Sequence, residues 1–196
     1  MEIVKVKTFK LMELDDKAFR RAIDNNRGIL TDSFYDEQIK ESWTEKLEAL
    51  GYSNVKILWS GFGSQGDGAC FTADINICSW LISHGYEVES KNNKWTPLIE
   101  AEANGELTAE ITHQWRYFFS SSTNVAIHYV KDVESFKIVD ELEDLIKLDR
   151  QKLGDQIYKD LETEYEHLQE EDCIADHLMA MDVRFLKNGD RFEIEQ

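Results

Sequence analysis

The stretch LTAEITHQWRYFFSSSTNVAIHY, residues 107–129, decides the fold. Leu107, Ala109, Ile111, His113, Trp115 and Tyr117 occupy alternate positions, with Thr108, Glu110, Thr112, Gln114 and Arg116 between them. A period of two places successive side chains on opposite faces of a strand. The run Ser120–Thr123 supplies turn residues, and Val125, Ile127 and Tyr129 resume the alternation. Strands are predicted at 107–119 and 124–130, paired as an antiparallel hairpin with one buried face.

The same period appears upstream. Val55, Ile57 and Trp59 alternate with Lys56 and Leu58; Phe71, Ala73, Ile75 and Ile77 alternate with Thr72, Asp74 and Asn76. These predict strands at 55–62 and 70–77, which makes four antiparallel strands in the middle of the chain. A further edge strand is predicted at 3–9, IVKVKTF, from its alternation. Helical spacing flanks this centre. Asp15 or Asp16 is placed to cap a helix burying Ala18, Phe19, Ala22 and Ile23. From Asp32 a second helix carries Phe34, Ile39, Trp43, Leu47 and Leu50, with Gly51 positioned to close it. Residues 78–86 read as a short helix or turn.

Between Phe136 and Gln169 a long helix is predicted on the stripe Ile138, Leu142, Leu145, Leu148, Leu153, Ile157, Leu161, Tyr165 and Leu168, with Gly154 as a kink or break. A short amphipathic helix and a hairpin turning at Asn188-Gly189 end the chain. The expected fold class is α+β: a mainly antiparallel sheet covered by helices, with a long acidic C-terminal helix and a terminal hairpin. All of 1–196 is read as one such domain, with 131–172 as an acidic helical arm.

Composition narrows the function. At 196 residues, 42% hydrophobic and 11% aromatic, the chain has the makings of a packed core. No apolar run reaches the roughly 20 residues that span a bilayer, and the N-terminus lacks a signal peptide's apolar stretch. A cytoplasmic protein without a membrane partner is expected. Cys70, Cys78 and Cys173 form no CxxC pair, so reduced thiols are expected rather than a disulfide framework or a zinc site. The net charge of −17 opposes direct nucleic-acid binding, which needs cations to displace counterions. It favours partners with a basic face. Residues 131–172 hold over half of that charge. Glu162, Glu166 and Glu170 follow one another at i, i+4 spacing and are the candidate binding acids. The long helix also suits a homodimer contact.

Three pieces resemble a family of small bacteriophage and prophage proteins: KTFKLMELDDKAFRRAIDNN near the start, SGFGSQGDGACF from Ser60 to Phe71, and EEDCIADHLMAMDVRFLKNGDRF near the end. Some members carry the label of antitoxin of a toxin–antitoxin stability system. The resemblance implies a phage setting, with host takeover or anti-defence as its context. It implies no catalytic residues and no cofactor.

The segment Ser60–Cys70 is the candidate binding loop, through Ser60, Gly61, Ser64, Gln65, Gly66, Asp67, Gly68 and Cys70. Glycines free its backbone to present N–H groups to an anion. Against that, the loop leads into a strand, lacks lysine, and carries Asp67, so it is neither a Walker motif nor a dinucleotide fingerprint. Nor does it have an EF-hand's acids. The alternative is a long hairpin turn whose Asp67 and Ser64 bond backbone amides, with at least one of Gly66 and Gly68 at positive φ.

Weaker constellations are Cys70 with His113 or His128 as a thiol–imidazole pair, and Asp67, Asp74 and Glu110 as a metal set. In HQWRYFF, residues 113–119, aromatics on a sheet could stack bases but lack a basic flank. The sequence therefore points to a noncatalytic accessory protein that binds a host or phage protein through an acidic surface. A nucleic-acid mimic, and a nuclease or hydrolase near the glycine loop, are the alternatives.

Overall fold

The computed structural model describes residues 5–31, 34, 36–88, 93–114, 116–129 and 136–193. The chain divides into two compact units, one of Asp36–Leu161 and one of Met1–Tyr35 with Glu162–Gln196.

The first unit is built on a four-stranded antiparallel sheet in the order β1-β2-β3-β4. β1 is Tyr52–Ser60, β2 Gly68–Ile75, β3 Leu107–His113 and β4 Thr123–Tyr129. Ala73 faces Ile111, which faces Val125, so these side chains share one face. Ile57 and Phe71 pair on that face as well. All five of these side chains are buried, which is the burial the period-two pattern requires. A bulge between Ser53 and Lys56 puts Asn54 at φ 53°.

β3 stops at His113, earlier than the expected 119. Gln114 N donates to Ser122 O at 3.0 Å, and His113 Nε2 lies 2.9 Å from Tyr117 O, so the chain folds over rather than extending. Trp115 lies outside the described residues. Ile77 leaves the strand: Asn76 Oδ1 accepts from Ser79 N at 2.8 Å and caps helix α3, Ile77–Ser83.

Helix α2, Glu37–Ala49, buries Trp43 and Leu47 and ends at Gly51, whose φ of +94° only glycine adopts readily. Its start is five residues after Asp32. Residues 32, 33 and 35 are outside the described set. Helix α4, Thr96–Ala103, was not expected; Pro97 sits in its first turn. Its Glu102 carboxylate accepts from Ile77 N at 2.7 Å and Cys78 N at 3.2 Å, which satisfies two open donors of α3.

Helix α5 runs unbroken from Phe136 to His167, about 48 Å at 1.5 Å per residue. Its buried seam is Val139, Leu142, Ile146, Arg150, Leu153, Ile157 and Leu161. Leu148, expected in that seam, is 57% exposed. Gly154 does not break the helix and is itself buried. Arg150 takes the place a leucine was expected to hold, its Nη1 donating to Thr123 O and, at 2.8 Å, to Thr123 Oγ1. Residues 131–135 are outside the described set.

In the second unit, Asp15 Oδ1 accepts from Ala18 N at 2.9 Å and caps helix α1, Asp16–Asn25. The short helix Leu11–Glu13 precedes it. Helix α6, Glu171–Ala180, contributes Ile174, Ala175 and Leu178 to a core completed by Leu11, Ala22, Ile23, Val183 and Phe185. The expected edge strand reduces to one bridge, Phe9 to Phe185; residues 3 and 4 are outside the described set. Among the described residues the closing hairpin is equally short, with a single bridge from Phe185 to Arg191 around Gly189; residues 194–196 are outside the described set. Phe34 does not belong to α2; its ring meets Tyr165 edge-on at 5.8 Å.

No helix among the described residues is long and apolar enough to cross a membrane.

Candidate functional site

Two places collect the residues singled out by sequence. The first is the β1–β2 connection. Gly61, Gly63 and Gly66 have φ of 36°, 120° and 129°, while Gly68 already belongs to β2. The loop's polar groups turn onto one another. Asp67 Oδ2 accepts from Ser64 N at 2.5 Å, and Ser60 Oγ donates to Gly66 O at 3.2 Å. The Asp67 carboxylate therefore occupies the amide that an anion would need. Gln65 is exposed and Cys70 is buried.

Aromatic rings brace this turn. Phe62 stacks on Trp59 at 5.2 Å and lies 5.7 Å from Tyr158, whose hydroxyl donates to Gly61 O at 3.3 Å. A Cβ at Gly66 would come within 3.1 Å of the Tyr117 ring, and one at Gly68 within 3.1 Å of Phe119. Tyr117 and Phe119 thus pack on the loop, with Tyr117 still 50% exposed. Trp59 Nε1 donates to Asp36, and Lys40 Nζ lies 2.5 Å from the same carboxylate. Burial pushes the Asp36 carboxyl up, but the bonds from Lys40 and Trp59 prevail and hold it below the usual range.

The other proposed partnerships do not converge here. Burial pushes the Cys70 thiol up to about 11, so it stays protonated at neutral pH. His128 Nε2 pairs with Glu110 Oε1 at 2.9 Å, and His113 is held by Tyr117. Asp74 and Glu110 face each other across β2 and β3, but Asp67 stands at the turn, at the far end of β2.

The second place is the corner between α5 and α6. From Lys159 to Arg184 the chain has no intervening lysine or arginine and carries nine acids. Glu162 is half-buried on α5, and Glu166 is exposed one turn further on. Glu170 departs from the expected stripe. α5 ends at His167, and Glu170 takes the N-cap position of α6, where Glu171 and Asp172 fill the first turn. Negative side chains there complement the positive end of the helix dipole. Glu170 Oε2 lies 3.0 Å from His167 Nδ1, and Cys173 Sγ lies 3.4 Å from His167 Nε2. Sequence reasoning passed over this trio. Its signal was the spacing His-x2-Glu-x2-Cys, hidden because the residues straddle a helix boundary.

A family model described as Domain of unknown function (DUF8835) matches residues 34–171. No curated protein and no solved structure matches the chain.

Proposed function

The chain belongs to the DUF8835 family, and from its residues we propose a noncatalytic accessory protein that binds a partner with a basic face through the acidic corner at α5 and α6. The observation that carries this is the concentration of acid there: Glu162, Glu164, Glu166, Glu170, Glu171, Asp172 and Asp176 follow without an intervening lysine or arginine, with Glu166, Glu170, Glu171 and Asp172 exposed. The stretch of α5 before it is different. There Lys137, Lys147, Lys152 and Lys159 alternate with the acids, and Lys147 pairs with Glu143 at 2.6 Å. Charge is thus gathered at one end of the helix rather than spread for solubility. Fields of one sign speed the encounter with an opposite surface.

The partner is a host or phage protein, consistent with the phage resemblance of the sequence. A groove that normally holds nucleic acid is one such basic face. The glycine loop supports this reading from the other side, since the Asp67 carboxylate already takes the Ser64 amide and repels an anion there. The test is capture from bacterial lysate by the immobilised chain, alongside the Glu166→Lys, Glu171→Lys, Asp172→Lys variant. Proteins retained by the parent, released by salt and absent from the variant support the proposal. Equal retention by both chains defeats it.

A further inference from the structure

Among the described residues, one group of side chains brings a thiol, an imidazole and a carboxylate together: His167, Glu170 and Cys173, whose ligand atoms all lie within 4.8 Å of one another. The backbone sets this arrangement. Glu170 N donates to His167 O at 3.0 Å, closing the turn after α5, and Ile174 N donates to Glu170 O at 3.1 Å, starting α6. The three side chains therefore project from a fixed turn, not from a loose tail. In a tetrahedral zinc site, with bonds of about 2.1 Å to nitrogen and 2.3 Å to sulfur, the two ligand atoms stand about 3.6 Å apart. His167 Nδ1, the nitrogen that meets both other ligands, stands 3.8 Å from Cys173 Sγ and 3.0 Å from Glu170 Oε2.

We propose that His167, Glu170 and Cys173 bind a thiophilic divalent cation, with zinc as the type, leaving a fourth position for water. Sulfur and imidazole nitrogen select zinc-like ions over magnesium or calcium, which take oxygen. The surroundings favour a cation. The carboxylates of Glu170, Asp172, Asp176 and Glu164 all act on Cys173. The same carboxylates attract a dication. On binding, the Sγ–metal bond forms as the thiol proton leaves to solvent, and the imidazole donates its lone pair. The metal joins the last turn of α5 to the first turn of α6. The site stands on this geometry alone and does not depend on a protein partner.

The test is titration of the reduced, chelator-treated full chain with Co2+ under anaerobic conditions. One equivalent is expected to give a thiolate-to-cobalt charge-transfer band with the visible bands of a tetrahedral centre, both displaced by Zn2+. Cys173→Ser removes the charge-transfer band, and Cys78→Ser keeps it. His167→Ala weakens binding by more than the about 10–100-fold that loss of an outer-shell partner brings. On the unaltered chain, Zn2+ slows alkylation of Cys173. A spectrum without the charge-transfer band overturns the proposal, because it marks cobalt held by carboxylates alone. So does a band that survives in Cys173→Ser, or a Cys173 alkylated equally fast with and without Zn2+, the mark of a thiol–imidazole pair that holds no metal.

Discussion

Asp149→Ala tests how the sheet unit is held together. The Asp149 carboxylate accepts from Tyr52 Oη at 2.7 Å and Trp80 Nε1 at 3.3 Å, and lies 3.0 Å from His84 Nε2. Tyr52 and Trp80 are 2% and 1% exposed, so water cannot replace the lost acceptor. Trp80 keeps a partner after the change, since its Nε1 also donates to Tyr52 Oη at 2.9 Å. Tyr52 does not. A bond to a charged acceptor contributes about 1.5–3 kcal/mol, and a stranded buried hydroxyl costs about 1–3 kcal/mol. These overlap, and the partly exposed edge of Asp149 lowers the sum. The expected loss is about 2–4 kcal/mol. For a chain of this size that is a melting shift on the order of 10 °C.

All five tryptophans fall between residues 36 and 161, so urea unfolding followed by tryptophan fluorescence reads this unit directly. Tyr52→Phe and the double variant complete a cycle. The pair should couple by about 1.5 kcal/mol or more, because each single change strands the other's group. A coupling below about 0.5 kcal/mol, or an Asp149→Ala chain that unfolds at the parent's urea midpoint, refutes the reasoning.

Alkaline stability follows from the same tyrosine. Burial, then the charge of Asp149, raises the Tyr52 hydroxyl above its ordinary value, so the folded state keeps a proton that the unfolded chain releases from about pH 10. Stability is fully present below that pH and falls as pH rises beyond it; urea midpoints of Tyr52→Phe should fall less steeply over the same range. Gly51→Ala should cost about 2–4 kcal/mol by urea unfolding, since its φ is +94° and a Cβ would stand 2.5 Å from the Trp80 backbone nitrogen. Gly63→Ala, at φ +120° with nothing within 4 Å, should cost only the backbone term of about 1–2 kcal/mol, and equal losses at the two sites would contradict the steric account. Gly66→Val should lower the melting temperature through its φ of +129° and the Tyr117 ring, without changing the capture of any partner.

The sheet was legible because burial on one face writes a period of two into Val55–Trp59, Phe71–Ile75 and Leu107–Ile111. Each of these runs is a strand. Where a helix cap competes, the pattern misleads. Ile77 keeps the alternation, but the Asn76 side chain turns the backbone into α3. α4 escaped notice because its eight residues bury only Leu98, too little for a helical period. Along α5 the seam was misplaced because Leu148 points out while Arg150 points in. A cation in a leucine stripe reads as surface, and only the Thr123 oxygens that receive it reveal otherwise. Gly66 took the positive φ expected for one of its pair because hairpin turns need that state. The His167, Glu170 and Cys173 trio was invisible to a continuous-helix reading, which put Glu170 on α5. The break after His167 turns it toward the imidazole instead.

The most direct measurement of the central claim is the association rate of a captured partner with the parent chain and with the Glu166→Lys, Glu171→Lys, Asp172→Lys variant, at rising salt. None of the three is a proposed metal ligand and all three are exposed; because lysines at 171 and 172 oppose the α6 dipole by about 0.3–1 kcal/mol each, the variant's melting temperature is measured alongside. The Debye length shrinks from about 30 Å at 0.01 M to about 8 Å at 0.15 M ionic strength. If the acidic corner steers binding, the parent's rate falls steeply over that range while dissociation changes little. The variant then associates on the order of tenfold more slowly at low salt, with a weaker salt dependence. Equal rates for the two chains at low salt would contradict the account.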